Sequence, residues 1–173
     1  MLRKIVLFVL ICICFVLQTS VFPAIAFAGI VPNLLIILVS AFGFMRGKKE
    51  GMFIGFFSGL VIDIFCGSYL GVYALLYMCV GYLNGYFRKR FYPEDIKLPL
   101  LLIALSDLLL NLGVYVIMFF IRGRFHLFSY MKTVILPELI YTMVITIFLY
   151  FAFMKINQLL ERYERRGGLR FDS

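Results

Sequence analysis

The stretch Gly51 to Phe87, GMFIGFFSGLVIDIFCGSYLGVYALLYMCVGYLNGYF, is 37 residues long and carries one formal charge, Asp63. A helix needs about 20 residues to cross a hydrocarbon core of about 30 Å. The block is therefore read as a hairpin of two spans, turning at Gly67-Ser68 with Gly71 just beyond. Its neighbours read the same way. Ile5 to Met45 is 41 residues without a formal charge, a second hairpin, with Pro23, Gly29 and Pro32 near its centre. Pro32 suits the first turn of a following helix, where its missing N–H costs little. Leu98 to Ile121 and Thr133 to Met154 hold one acid each, Asp107 and Glu138, and one span each. The pattern predicts an all-α integral membrane protein of six transmembrane helices joined by short loops. The helices fall at roughly 5–27, 31–46, 50–66, 70–88, 98–121 and 132–155, in a single polytopic domain over 1–173 with a basic tail at 156–173. Helices two and three are short, and are expected to tilt or to sit in a locally thinned bilayer.

Composition agrees. Hydrophobic residues make up 64% and charged residues 15%, against about 45–50% and about 25% in soluble domains. That excludes a typical soluble enzyme and a disordered chain. Four cysteines are too few for a disulfide-stapled module. The basic residues then orient the spans. Arg3 and Lys4 precede the first helix. Arg46, Lys48 and Lys49 lie between helices two and three, and Arg88, Lys89, Arg90 and Lys97 between four and five. Lys155, Arg162, Arg165, Arg166 and Arg170 follow the sixth. Six spans put all fourteen on one side and leave Arg122, Arg124 and Lys132 on the other. The positive-inside rule places both termini in the cytoplasm and the 122–132 loop outside. The net charge of +8 is thus a cytoplasmic collar facing anionic lipid headgroups, and no nucleic acid is expected as a partner. Leu159, Leu160 and Tyr163 of the tail are read as lying on the membrane while neighbouring arginines meet headgroups. Arg3 and Lys4 followed by Ala26-Phe27-Ala28 resemble a signal peptide. The intervening apolar run exceeds the 7–15 residues of a signal h-region, so the first helix is expected to be retained.

Residues for chemistry are sparse. His126 stands alone in the external loop, without the cluster of ligands a metal needs. Cys12, Cys14, Cys66 and Cys79 read as small apolar packing residues. Gly43 to Lys49 superficially suggests a phosphate-binding loop, but its spacing is wrong and no Ser or Thr follows the lysine. No catalytic set, cofactor site or metal site is expected.

One row does stand out. Gly43, Gly47, Gly51, Gly55, Gly59, Asp63, Gly67 and Gly71 follow one another at intervals of four. On a helix each such step drifts about 40°, so the row is a shallow groove winding round helix three. Small residues let another helix approach closely in a membrane. Two readings stand: packing inside the bundle, or docking of a partner's helix on Gly51, Gly55, Gly59, Asp63 and Gly67. The intramembrane acids need an explanation as well. Asp63 and Asp107 fall near mid-span, where an acid costs about 2.5–3.5 kcal/mol, and no Lys or Arg lies deep enough to pair with them. Each must face a polar interior, lose its charge, or meet a group from elsewhere. A neutral Asn at position 63 is expected to be tolerated. Asn111, one turn after Asp107, can share its polar face. Glu138, after Pro137 near the outer end of helix six, is placed to reach headgroups or Lys132. Three acids on three helices also suggest a cation route.

The order of these elements carries a family resemblance. Pro32-Asn33-Leu34-Leu35-Ile36-Ile37-Leu38 opens helix two, and Gly55-Phe-Phe-Ser-Gly59-Leu60-Val-Ile-Asp63 lies in helix three. Gly67, Gly71, Ala74-Leu75 and Gly81-Tyr82-Leu83 follow. Together they resemble the rod shape-determining membrane protein MreD, most clearly from Pro32 to Tyr86. Asn33 departs from the family, whose proline is often followed by an acid. The resemblance implies a non-enzymatic inner-membrane subunit of the bacterial cell-wall elongation machinery. It implies an MreC-like bitopic partner, and peptidoglycan synthases and actin-like MreB as direct or indirect associates. It also implies a fold like that of the substrate-binding subunit of an energy-coupling-factor importer. Such a vitamin-type importer subunit is the alternative function. The outer ends of helices two to four offer mostly apolar residues and glycine, which weighs against a polar-ligand site.

Overall fold

The computed structural model describes residues 2–24, 30–67, 71–90, 96–122, 132 and 135–168, with backbone alone for 2, 3, 90, 118–122 and 164–168. The 25–29 turn, the 68–70 turn, His126 and the external loop up to 131 lie outside the described residues. Among the described residues, six helices carry the fold. The first, α1, runs as an α-helix over Leu2–Val16, a π-helical segment over Leu17–Val21 and a last turn at Phe22–Ala24. Then come α2 (Leu34–Arg46), α3 (Lys48–Phe65), α4 (Val72–Tyr86) with a 3₁₀ turn at Phe87–Arg90, α5 (Lys97–Arg122) and α6 (Leu136–Gly168).

Three of the six are long and apolar enough to cross a membrane: Lys4–Ala24, Lys97–Ile117 and Leu136–Tyr163. At 1.5 Å per residue, the 13 residues of α2 cover about 20 Å and the 15 of α4 about 22 Å. Neither covers a hydrocarbon core of about 30 Å as helix alone. Protein rather than lipid surrounds the shortest of them. α2 touches all five other helices, and every residue from Leu34 to Met45 is buried. A helix that is apolar all round belongs in an interior, and Leu34 to Val39 supply that run. Every other helix turns large apolar side chains outward, such as Ile5, Phe56, Leu75, Leu101 and Phe148. Polar side chains go inward: Asp63, Asn84, Asp107 and Thr146 are all at most 2% exposed. This is the arrangement of a protein whose solvent is lipid.

Several boundaries differ from those read off the sequence. Asn33, not Pro32, opens α2: its side chain accepts the Ile36 N–H at 3.2 Å, which makes it the N-cap. The α2–α3 junction is a single residue. Gly47 has φ +103°, a conformation nearly closed to other residues, and it lets Lys48 and Lys49 enter the first turn of α3. The basic tail is not separate from the sixth helix, because α6 continues to Gly168. Leu160 is buried, whereas Leu159 and Tyr163 are exposed. Among the cysteines only Cys14 is buried; Cys66 and Cys79 are exposed, so they do not pack the core.

Candidate functional site

The glycine row lies along α3, and the chain's own α4 fills it. The two helices run antiparallel in a register of four. A Cβ added to Gly51 would run into the Gly81 carbonyl, one on Gly55 into the Tyr77 carbonyl, and one on Gly59 into the Tyr73 carbonyl. The contact is mutual, since a Cβ on Gly81 would strike the Gly51 carbonyl and one on Gly85 the backbone of Lys48. The α4 side of the seam is thus Tyr73, Tyr77, Gly81 and Gly85, again every fourth residue. Gly43 joins from α2, where a Cβ would stand 2.9 Å from the Gly81 oxygen. Backbones this close are possible only where side chains are missing. Gly67 leaves the seam. It closes the α3 C-terminus through its N–H to the Ile62 oxygen at 2.9 Å, and the nearest atoms to an added Cβ belong to Asp63.

Asp63 ends the seam. It is 2% exposed and reaches across to the N-terminus of α4. Its Oδ2 accepts the N–H groups of Gly71 at 3.1 Å and Ala74 at 2.8 Å, and its Oδ1 accepts that of Tyr73 at 3.0 Å. The first N–H groups of a helix have no partner within it. Here a carboxylate from the preceding helix supplies one, and its charge lies at the positive end of the helix dipole. Gly71 makes the geometry possible with φ +99° at the N-cap. The group that Asp63 meets from elsewhere is therefore backbone. An Asn at this position would forgo one of those bonds, because an amide nitrogen cannot accept it.

The start of α2 is satisfied in the same manner. Asn33 Oδ1 takes both the Ile36 N–H and the Tyr77 hydroxyl, the latter at 2.8 Å. The Asn33 N–H donates to Thr142 Oγ1 at 3.1 Å, and the Leu35 N–H to Gln18 Oε1 at 3.1 Å. Gln18 lies in the π-helical segment of α1. Four helices thus meet at one buried polar layer. A second layer sits nearer the other end, where Asn84 donates to Ser106 Oγ at 2.7 Å and to the Val80 oxygen at 2.9 Å.

The remaining acids lie apart from the Asp63 cap. Asn111 donates to the Asp107 backbone oxygen at 3.1 Å, and its side chain lies beside that of Glu138, so Glu138 turns toward α5. Asp107 is fully buried, and among the described residues neither of its carboxyl oxygens has a hydrogen-bond partner. Sequence reading passed over Gly81 and Gly85 as the facing row, although their spacing of four was visible. It also passed over Gln18, Tyr77, Thr142, Asn84 and Ser106. Nothing local marks those as partners, because each bond joins residues far apart in the chain. Among the described residues no cluster of His, Cys, Asp and Glu could hold a metal ion.

These features define a class: a multi-pass helical membrane protein whose buried polar groups hold short helices in place. The particular family follows from comparison. Residues 1–160 match the family model for rod shape-determining protein MreD, and the chain belongs to that family. It is a non-enzymatic protein of the bacterial cytoplasmic membrane that acts in rod-shape determination with the cell-wall elongation machinery. No curated protein and no solved structure gives a significant match.

Proposed function

We propose that the chain is an assembly subunit: a single six-span domain with both termini cytoplasmic, built to present a rigid face to an MreC-like bitopic partner. Through that partner it associates with peptidoglycan synthases and with actin-like MreB. The observation that carries this reading is the seam. Gly51, Gly55, Gly59 and Asp63 are consumed in fixing α4 on α3, so the row serves as the framework of the subunit and partners engage its outer faces. The short helix α2 need not cover the hydrocarbon core as helix alone, because protein encloses it along its length. Fourteen basic residues on one side set the orientation and face anionic headgroups. The fold is also proposed to share its plan with importer substrate-binding subunits, without their function. Tyr77, Asn33 and Thr142 are joined to one another where those proteins need an open polar pocket, and fold likeness alone does not carry activity.

Depletion in the native host, followed by microscopy, tests the proposal. Rounded or bulging cells are expected, with co-purification of the bitopic partner from wild-type membranes. Normal shape together with a new vitamin requirement would replace it with transport. A cytoplasm-only fluorescent reporter placed after Ser173 checks the orientation separately.

A further inference from the structure

A cavity of about 900 Å³ opens where α2 ends, α3 begins and α4 ends, lined by Arg46 to Glu50 and by Gly85 to Lys89. Five of its residues are basic (Arg46, Lys48, Lys49, Arg88 and Lys89) against one acid, Glu50. Two of the cations are engaged. Arg46 Nε donates to Asn157 Oδ1 at 2.5 Å and lies 3.9 Å from the Glu50 carboxylate. The Lys48 ammonium stands over the Tyr86 ring at 4.3 Å and the Tyr82 ring at 5.3 Å. The other three, Lys49, Arg88 and Lys89, are exposed, and among the described residues none pairs with an acid. The N-terminus of α3 opens into the same space. Its N-cap is Gly47, which offers no side chain to bond the first N–H groups, and the Arg88 stem crosses directly over it, 2.9 Å from where a Cβ would stand. Uncompensated cations and an uncapped helix start both favour an anion with several oxygens.

We propose that this cavity binds the phosphate headgroup of an anionic phospholipid of the cytoplasmic leaflet. A lipid fits better than a soluble anion because the wall is continuous with the membrane-facing surface. Tyr82 and Tyr86 are exposed beside it, at the headgroup level where tyrosine is enriched, and acyl chains can run along α4. Basic pockets between membrane helices are known to hold such headgroups. The leaflet rests on the orientation proposed above; binding itself does not, and in detergent it is measured independently of orientation.

The test is native mass spectrometry and thermal shift of the full chain in detergent, titrated with phosphatidylglycerol, phosphatidylcholine or inorganic phosphate. Two variants are compared: Lys49→Gln/Arg88→Gln inside the cavity and Lys155→Gln/Arg162→Gln outside it. Because the cavity cations would bond the phosphate directly, the cavity pair is expected to lose phosphatidylglycerol preference roughly 30-fold, about 2 kcal/mol, and the outer pair, exposed and without a built site, less than about threefold in detergent. Both pairs should keep the wild-type melting point without lipid. Equal losses in the two variants would reduce the effect to the diffuse collar and overturn the site. Equal stabilisation by inorganic phosphate would assign it to a free anion. Cross-linking of Lys49 or Lys89 to a protein carboxylate, with no co-purifying lipid, would assign it to an acidic partner segment.

Discussion

Replacing Asp63 with Asn removes one charge and one acceptor atom while leaving the volume almost unchanged. The side chain has two ways to sit. With its carbonyl oxygen in the Oδ2 position it keeps the Gly71 and Ala74 bonds, at 3.1 and 2.8 Å, but turns its NH₂ against the Tyr73 N–H. The opposite rotamer loses two bonds instead of one. The first is the cheaper. It forfeits one hydrogen bond to a charged group, about 1.5–3 kcal/mol, and the attraction of a carboxylate for a helix start, about 0.3–1 kcal/mol. The expected loss is about 2–4 kcal/mol. Asp63→Ala strands all three N–H groups in a site that is 2% exposed, and roughly doubles that loss. A convenient reporter is Cys14, which is buried: a maleimide dye reads unfolding as this thiol becomes reactive. Cys12, Cys66 and Cys79 are not buried and are changed to Ala first. With about 2–4 °C per kcal/mol for a chain of this size, Asp63→Asn should melt about 5–15 °C below its parent, and Asp63→Ala should fail to accumulate as folded protein. An Asn variant within about 2 °C of its parent would refute the capping argument, because the three bonds would then be dispensable.

Three further outcomes test the rest of the interior. Gly55→Ala should cost more than Gly71→Ala in the same melting assay. A Cβ at 55 meets the Tyr77 carbonyl, while at 71 nothing lies within 4 Å and only the positive φ opposes it, worth about 1–2 kcal/mol. The reverse order would mean that α3 and α4 are less tightly joined than described. Asn33→Asp should fold as well as wild type, since a carboxylate can accept both the Ile36 N–H and the Tyr77 hydroxyl. Asn33→Leu should lose about 2–6 kcal/mol, about 1–3 kcal/mol for each of the two groups, hydroxyl and N–H, left without a partner. Asp107→Asn should be neutral or stabilising, because both carboxyl oxygens are buried without a partner among the described residues and an amide is cheaper to bury than a charge. A strong loss of folded yield would show that Asp107 is engaged by a group not accounted for.

Much of this was legible in the residues. Hydropathy located all six helices, and the four-residue row located the seam, because both patterns are local and periodic. What escaped notice is informative. Apolar sequence looks the same whether lipid or protein surrounds it, so Leu34 to Met45 gave no sign that the other helices enclose α2. The seam was visible from α3 alone, but its occupant was not. Small residues announce a close approach without saying who approaches, and only the matching interval of Tyr73, Tyr77, Gly81 and Gly85 hints at α4. Asp63 showed the same asymmetry. Its cost in a membrane was plain, whereas its partners are backbone N–H groups, which every sequence contains and none advertises.

The caps and the short helices explain each other. A helix that begins inside a membrane protein exposes N–H groups where water is absent, and each unsatisfied group costs several kcal/mol in that medium. α2 and α4 both begin this way, and both receive acceptors from other elements: Gln18 for α2, Asp63 for α4, with Asn33 adding the local cap and passing its own N–H to Thr142. Of the three acids that suggested a cation route, Asp63 is one of these residues. Asp63 in particular is fully committed, with both carboxylate oxygens occupied, so releasing it for ion transfer would uncap α4 and loosen the seam beside it. The Asp63 cap is therefore suited to holding a shape, the property the proposed assembly subunit needs if its partners read its outer faces.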